Sequence, residues 1–375
     1  MRVSDYSPVA AREHLGHSSR GAAGRSEPDS DALFQADDTA ATRPVPIIAE
    51  RLIGETDLSA FPLTLGTARL ATVDEVTAAR ILHRFVTRGG SLYDVGDDDG
   101  SGRSQELVGG WLAANRPHKI ITMLTPSLQR DGGRASGAHR LVRAVHAALA
   151  RLGRDRVDLL MLDFREAAGL GIAAGELLSA GGELITAGTV GRLGASGVTG
   201  AELLEARVLA GGGLPPIAAV RLEWSITDRT SHEAELRMAA AAQQLALLPD
   251  ATRVSSALAS PSLPQKVLAG RARSGKATQA VNARVIAPAP ERAADVFAGR
   301  GREHRIGLAL DRVSGELGVA PATSQLAWLL AKRGVVAPIV RVTRPEQVDT
   351  LMDAAVVRLT RAQMLELDRA VEAGR

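Results

Sequence analysis

The chain has 375 residues, of which 45% are hydrophobic and only 3% aromatic, so its core must be built mainly from aliphatic side chains. There is no cysteine, which excludes disulfides, thiolate catalysis and cysteine-ligated metals. A net charge of +3 without a basic stripe argues against nucleic-acid binding, and the absence of long apolar runs and of a secretory signal predicts a cytoplasmic protein without membrane contact.

The first part of the chain differs in composition from the rest. Residues 1–45 are polar, rich in Gly, Ser, Asp and Arg, and show no hydrophobic periodicity. Such a segment cannot bury enough apolar surface to fold by itself. We therefore predict a disordered extension over 1–45, with a tethering arm as the functional alternative, followed by one folded domain over 46–375.

From Pro46 onwards, short apolar runs alternate with longer amphipathic segments. The runs predict strands at 63–66, 91–95, 119–124, 157–163, 192–196, 218–224, 245–249 and 335–340. The segments predict helices near 73–88, 104–114, 137–152, 174–187, 199–210, 233–242, 303–318 and 345–356. Eight strand–helix units without a break in composition predict an α/β fold, a single (β/α)8 TIM barrel, with a doubly wound open sheet as the alternative. The long connection near 250–302 is expected to be functional or disordered.

Five motifs occur in order and at sensible spacing along the predicted barrel. They are Phe61–Thr67, Tyr93–Ser104, Leu149–Leu159, Gly188–Ser196, and Ala327–Leu330 with Arg344–Gln347. Over about residues 48–373 this series resembles the aldo/keto reductase family. The resemblance implies NADPH-dependent carbonyl reduction at the carboxyl ends of the strands, where such barrels hold their active sites.

The resemblance also implies a catalytic tetrad of Asp, Tyr, Lys and His, and most of it is missing. The Tyr acts as general acid, and a phenol with a pKa near 10 needs a cation beside it to donate a proton at neutral pH. Asp94 keeps the Asp position, whereas Asp99 stands at the Tyr position, Leu124 at the Lys position and Asp163 at the His position.

Nearby residues do not replace the missing groups. Tyr6 lies in the predicted extension, and strand alternation points Tyr93 away from Asp94. Lys119 begins its strand, at the wrong end of the barrel, and His232 is expected in a surface loop. The tetrad is therefore predicted to be absent rather than relocated.

The positions that the resemblance assigns to the cofactor are partly altered. Ser196 fits the serine that would bind the nicotinamide carboxamide, but Gly197 replaces the expected Asn, Arg221 the expected Gln, and Asp250 the stacking aromatic. We therefore expect weak NADPH binding or none, because a carboxylate near the nicotinamide or its pyrophosphate repels negative charge.

The phosphate end of the implied cofactor site is better preserved. Thr343, Arg344 and Gln347 would hold a 2′-phosphate at a helix amino terminus. The alternative is an ordinary helix start with a proline in its first turn.

Carboxylates gather where the tetrad would be. Asp94, Asp99 and Asp163 are candidate acid–base residues, because neighbouring carboxylates raise one another's pKa. The Asp97–Asp99 stretch is otherwise a solvated loop, and Val95 at the first ligand position argues against a calcium loop, so no metal site is predicted. Trp224, Glu223 and Asp250 are candidate pocket residues, with core packing as the alternative for Trp224.

These observations favour a family-like barrel that has lost standard carbonyl reduction. It would be a non-redox acid–base enzyme for dehydration, epimerisation or cyclisation of a small metabolite, or a non-catalytic family member. The alternatives are an atypical NADPH-dependent carbonyl reductase and a nucleotide-sensing or scaffolding subunit. The expected partner is a small molecule, and the sequence does not indicate the oligomeric state.

Overall fold

A computed structural model describes residues 49–96, 102–128, 137–226, 233–251 and 290–372, with the backbone alone at 138, 233 and 290–301. The predicted extension over 1–45 lies outside these ranges and stays a prediction. Among the described residues, no helix is both long and apolar enough to cross a membrane.

Eight parallel strands close into one barrel in chain order, which confirms the predicted (β/α)8 fold. They are β3 (Thr64–Gly66), β4 (Leu92–Asp94), β5 (Ile121–Leu124), β6 (Val157–Asp163), β7 (Val190–Ser196), β8 (Ile217–Glu223), β9 (Ala246–Asp250) and β10 (Ile339–Arg341). The barrel closes where β10 pairs with β3, with Arg341 opposite Gly66. Parallel strands place all their carboxyl ends at one rim, where the site is expected.

Helices surround the barrel. They are α1 (Glu75–Thr87), α2 (Arg103–Asn115), α3 (Gly137–Leu152), α4 (Phe164–Gly169), α5 (Ala174–Thr186), α6 (Gly200–Gly211), α7 (Glu233–Ala242), α8 (Pro290–Leu317), α9 (Pro321–Leu330), α10 (Pro345–Met352) and α11 (Arg361–Glu372). The sequence did not predict α4, α9 or α11. Single turns of 3-10 helix lie at Ala68–Thr72 and Asp353–Ala355.

The strands divide the core into two layers. Inward side chains such as Leu92, Met123 and Met161 form a cluster inside the barrel, and outward ones such as Tyr93 and Leu160 pack under the helices. This follows from strand alternation, which sends successive side chains to opposite faces.

A hairpin that the sequence did not predict covers the amino-terminal end of the barrel. Its strands are β1 (Arg51–Leu52) and β2 (Ser59–Ala60), which pair antiparallel. Ile53 and Ala60 are fully buried in the inner cluster. Salt bridges from Glu50 to Lys119 (2.6 Å) and from Asp57 to Arg192 (2.9 Å) fix the hairpin to the barrel.

Candidate functional site

A four-residue ion-pair network fills the carboxyl end of the barrel. Arg221 of β8 reaches Asp94 of β4 with Nη1 at 3.3 Å and Asp250 of β9 with Nη2 at 2.6 Å. Arg341 of β10 lies 3.5 Å from the same Asp250 oxygen. Their side chains are 3–14% exposed, so the two positive and two negative charges compensate one another largely out of water.

The network places a cation among the carboxylates, which the sequence did not predict. Because the tetrad Lys is missing, no cation was expected near the carboxylates. Neighbouring carboxylates would then raise one another's pKa. Instead, Arg221 stands between Asp94 and Asp250, and an adjacent guanidinium favours the ionised form of a carboxylate. Arg221 was predicted only as a replacement of the expected Gln. An Arg among the apolar residues of a barrel strand is nevertheless a sequence signal for an internal ion pair.

The backbone around Asp94 is also fixed. Its carbonyl oxygen accepts hydrogen bonds from the backbone N–H and the hydroxyl of Thr67, both at 3.0 Å. Its Oδ1 accepts from the N–H of Gly96 at 3.3 Å. Asp94 therefore occupies a rigid, 3% exposed position in which both carboxylate oxygens have partners.

The position assigned to the missing Lys needs correction as well. Leu124 is fully buried in the outer layer of the core, beneath the helices. The residue of β5 that points into the barrel beside Asp94 is Met123, its partner in the strand register. Both residues are apolar, so β5 still contributes no cation here.

Tyr93 points away from the site, as strand alternation predicted. Its ring meets Phe85 of α1 edge to face, with 5.2 Å between the centroids. Its hydroxyl is buried without a hydrogen-bond partner among the described residues, and burial raises the pKa of the phenol above its ordinary value of 10.0. Tyr93 is therefore no substitute for the family's general acid.

Asp163 ends β6 and opens onto the barrel mouth. Its Oδ1 accepts the backbone N–H of Glu166 at 2.8 Å and thereby caps α4, while Oδ2 accepts the Ser196 hydroxyl at 3.2 Å. Asp163 and Ser196 are partners in the register of β6 and β7. The Ser196 hydroxyl, which the resemblance assigned to a nicotinamide carboxamide, is thus directed at a carboxylate.

A cavity of about 580 Å³ with a mixed polar and apolar lining lies above these residues. Its described lining is Thr125, Asp163, Arg165, Ala168, Ser196, Gly197, Val198, Thr199, Glu202, Arg221, Leu222, Glu223, Leu236 and Asp250. The residues come from the carboxyl ends of β5 to β9 and from the segments that follow them, and none of them is aromatic. The cavity therefore offers charges and hydroxyls rather than a stacking surface.

The three candidate pocket residues separate in the structure. Glu223 and Asp250 are register partners and line the cavity. Trp224 is 1% exposed and faces the outer core, where it packs edge to face on Trp328 at 6.1 Å with Arg237 4.2 Å above its ring. The pocket-wall interpretation of Trp224 is therefore wrong, because alternation turns it away from the side of Glu223.

At the implied phosphate site, the side chain of Gln347 binds the protein's own backbone. Gln347 Oε1 accepts the backbone N–H groups of Thr343 at 2.9 Å and of Arg344 at 3.0 Å. Of these two donors, the Arg344 N–H lies at the N-cap, where a helix amino terminus offers donors to a phosphate. The geometry matches the ordinary helix start weighed above, with Pro345 in the first turn.

Asp97, Asp98 and Asp99 lie outside the described residues, so the predicted roles of Asp99 and of this stretch stay predictions. Within the described part of the chain, no group of three or more His, Asp or Glu side chains is arranged to hold a metal ion.

A closed (β/α)8 barrel with a cavity at its carboxyl rim defines a TIM-barrel protein, a fold in which active sites lie at the strand ends. The family model "Aldo/keto reductase family" matches residues 62–372. The chain belongs to the aldo/keto reductase family.

Similar proteins include two fungal relatives and one solved structure. Norsolorinic acid reductase stcV of Emericella nidulans is 26% identical over 83% of this chain and 78% of its own length. Aryl-alcohol dehydrogenase GME11368 of Pestalotiopsis microspora is 24% identical over 83% of this chain and 77% of its own. The crystal structure of the thermostable aldo-keto reductase Tm1743 with the inhibitor epalrestat matches with a TM-score of 0.62, at 20% identity, over 86% of this chain and all of that one.

Proposed function

We propose that this protein does not transfer hydride through its family's tetrad, and that its barrel mouth binds a small polar metabolite on which Asp163 acts as an acid–base group. The observation that carries the proposal is the bridge from Arg221 to Asp94 and Asp250. Asp94, the one retained tetrad residue, is held in an ion pair by this bridge. Its neighbour on β5 is Met123, where the family would have a lysine.

The family uses NADPH, and three contacts argue against a good fit in this chain. Asp250 is paired with Arg221 at the place of a stacking ring, and the Ser196 hydroxyl is directed at Asp163. Gln347, one of the residues expected to hold the 2′-phosphate, accepts the backbone N–H groups of Thr343 and Arg344 through its Oε1. We therefore derive no step through the nicotinamide.

Asp163 is the best acid–base candidate among the described residues. Unlike Asp94, it lines the cavity, and it lies in contact with no arginine that the structure records. The bond to the Glu166 N–H sets the direction of its carboxylate, and the 3.2 Å bond from Ser196 is long enough to yield to a ligand. A positioned carboxylate of this kind supports dehydration, epimerisation or cyclisation.

The test is an NADPH titration by isothermal calorimetry, followed by incubation with aromatic and aliphatic aldehydes while absorbance at about 340 nm reports NADPH consumption. An active aldo/keto reductase serves as the positive control. We expect no saturable binding up to about 1 mM and no NADPH consumption. A micromolar dissociation constant with turnover would refute the proposal and restore the atypical reductase; micromolar binding without turnover would favour the nucleotide-sensing alternative.

A further inference from the structure

Arg221 is a fixed hydrogen-bond donor on the floor of the cavity. Its contact to Asp250 is short, at 2.6 Å, whereas its Nη1 contacts to Asp94 and to the Thr125 hydroxyl are long, at 3.3 and 3.4 Å. Good N–H···O bonds cluster near 2.9–3.0 Å, so the Nη1 group can transfer to a ligand oxygen at small cost while Asp250 holds the guanidinium in place.

Asp163 faces the same cavity from two strands away. Asp163 and Ser196 are register partners, and Arg221 follows Val220, the β8 partner of Ala195. With neighbouring strands about 4.8 Å apart, the backbones of Asp163 and Arg221 are about 10 Å apart. Both side chains line the same cavity, together with Ser196 of the strand between them.

The remaining lining indicates the class of ligand. Thr125, Thr199 and Glu223 add hydroxyls and a carboxylate, and none of the described lining residues is aromatic. Hydroxyl and carboxylate oxygens accept hydrogen bonds from the hydroxyls of a ligand. Acids outnumber arginines in this lining, with Asp163, Glu202, Glu223 and Asp250 against Arg165 and Arg221, which disfavours an anionic ligand.

We propose that the cavity binds a small, neutral, hydroxylated carbonyl compound and isomerises it by proton transfer, with Asp163 as base and Arg221 as the donor to the oxyanion. This deepens the proposed function and depends on it, because Asp163 is the acid–base group in both.

The reaction is balanced without a cofactor. The Asp163 carboxylate takes the proton from the hydroxyl-bearing carbon next to the carbonyl, and the C–H electron pair forms a carbon–carbon double bond. The carbonyl electrons move to oxygen, where the Arg221 N–H stabilises the enediolate. The adjacent hydroxyl proton passes to that oxygen, and Asp163 returns its proton to the former carbonyl carbon. An aldose and a ketose are thereby interconverted, with no external oxidant or reductant.

The test uses dihydroxyacetone as the probe. The full-length protein is incubated with it in D2O, and proton NMR follows the loss of its C–H signal and the appearance of glyceraldehyde. We expect both to exceed the buffer rate. Asp163→Asn should slow the exchange by about 100-fold or more, the scale of losing one acid–base group. Glu205→Gln removes an exposed carboxylate on α6 that does not line the cavity and should leave the rate unchanged.

Arg221 needs two variants, because its removal leaves a buried charge. Arg221→Lys keeps the charge and should retain part of the exchange, while the double variant Asp94→Asn/Arg221→Gln keeps the site neutral and should lose it. Exchange no faster than buffer with folded wild-type protein overturns this inference alone. A full rate in Asp163→Asn overturns both this inference and the acid–base role of Asp163 in the proposed function. NADPH-dependent reduction would instead overturn the proposed function.

Discussion

Arg221 carries a positive charge into the barrel, where two carboxylates stabilise it. The arrangement resembles a buried salt bridge, whose attraction offsets the cost of removing the charges from water but seldom exceeds it. Its value is therefore in geometry rather than in net stability: each member holds the others in one orientation, and Thr125 contributes a further contact.

At this scale we expect Arg221→Gln to lower the free energy of unfolding by about 3–5 kcal/mol, because Asp94 is 3% exposed and would keep an uncompensated charge. Urea unfolding followed by circular dichroism measures the change. Arg192→Gln, which breaks an exposed pair with Asp57, is the matched control and should cost less than about 1 kcal/mol.

Adding Asp94→Asn to Arg221→Gln should recover most of the lost stability, since the buried charge disappears. If Arg221→Gln were no more destabilising than Arg192→Gln, the ion pairs would not be formed in solution.

Single residues of the site were only partly readable from the sequence. Strand ends predicted the placement of Asp94, Asp163, Glu223 and Asp250, because the barrel brings all strand ends to one rim. Which carboxylate meets which cation depends on side-chain direction and on strands far apart in the chain. The links from Arg221 and Arg341 to Asp250 were therefore missed.

At the scale of elements, the seam between β3 and β10 closes the barrel. Gly66 faces Arg341 there, and a Cβ on Gly66 would lie 2.8 Å from Arg341 Cγ. The arginine stem thus passes over the glycine on its way to Asp250, and the small residue on one strand makes room for the large one on the next.

We expect Gly66→Ala to destabilise the protein by about 1–3 kcal/mol through this overpacking. The measurement is a thermal and urea double-mutant cycle with Arg341→Ala. In the Arg341→Ala background the cost of Gly66→Ala should largely vanish, whereas equal costs in both backgrounds would show that the two side chains do not touch. Gly110→Ala, on α2 with open space around its Cβ position, is the control and should not destabilise.

A carboxylate next to the β1–β2 hairpin has a shifted pKa. Hydrogen bonds from Lys119 and Ser59 lower the pKa of Glu50 below its ordinary value of 4.5. A lowered folded-state pKa stabilises the protein above the unfolded value and loses that contribution as the pH falls through the folded one.

Glu50→Gln should therefore reduce stability at pH 7 by less than about 1 kcal/mol, since the pair is half exposed, and the difference should be smaller at about pH 3, below the ordinary pKa of 4.5. Melting temperatures at the two pH values measure it. Glu55→Gln, an exposed residue of the same hairpin, is the control; an equal pH-dependent loss there would contradict the assignment to the Lys119 contact.

Across the whole molecule, alternation of strand and helix patterns predicted the barrel and the bounds of most strands to within a few residues. The hairpin was missed because Arg51–Leu52 and Ser59–Ala60 are two residues each, too short for a period-2 pattern. Helix α9 was missed because nearly all of it is buried, so it lacks the polar face that marks an amphipathic helix.

The predicted boundary at residue 45 leads to a truncation experiment. We expect removal of residues 1–45 to leave the melting temperature within about 1 °C, because the matched family region begins at residue 62 and the hairpin at Arg51. Differential scanning calorimetry of both forms, at matched concentration, measures this. A fall of several degrees, or two separate transitions in either form, would argue against one self-sufficient barrel.

The hairpin at the amino-terminal end of the barrel also limits how a ligand reaches and leaves the cavity. Between it and the Arg221 network, the barrel interior is filled with buried aliphatic side chains such as Leu92, Ile121 and Leu159. In the described part of the chain, the cavity is therefore open at the rim and closed below. A ligand that enters at the rim must also leave there. In the proposed reaction, a product still in the cavity blocks the next substrate molecule, so product inhibition should be competitive with substrate. Product release, rather than the chemical step, can then limit the rate of turnover.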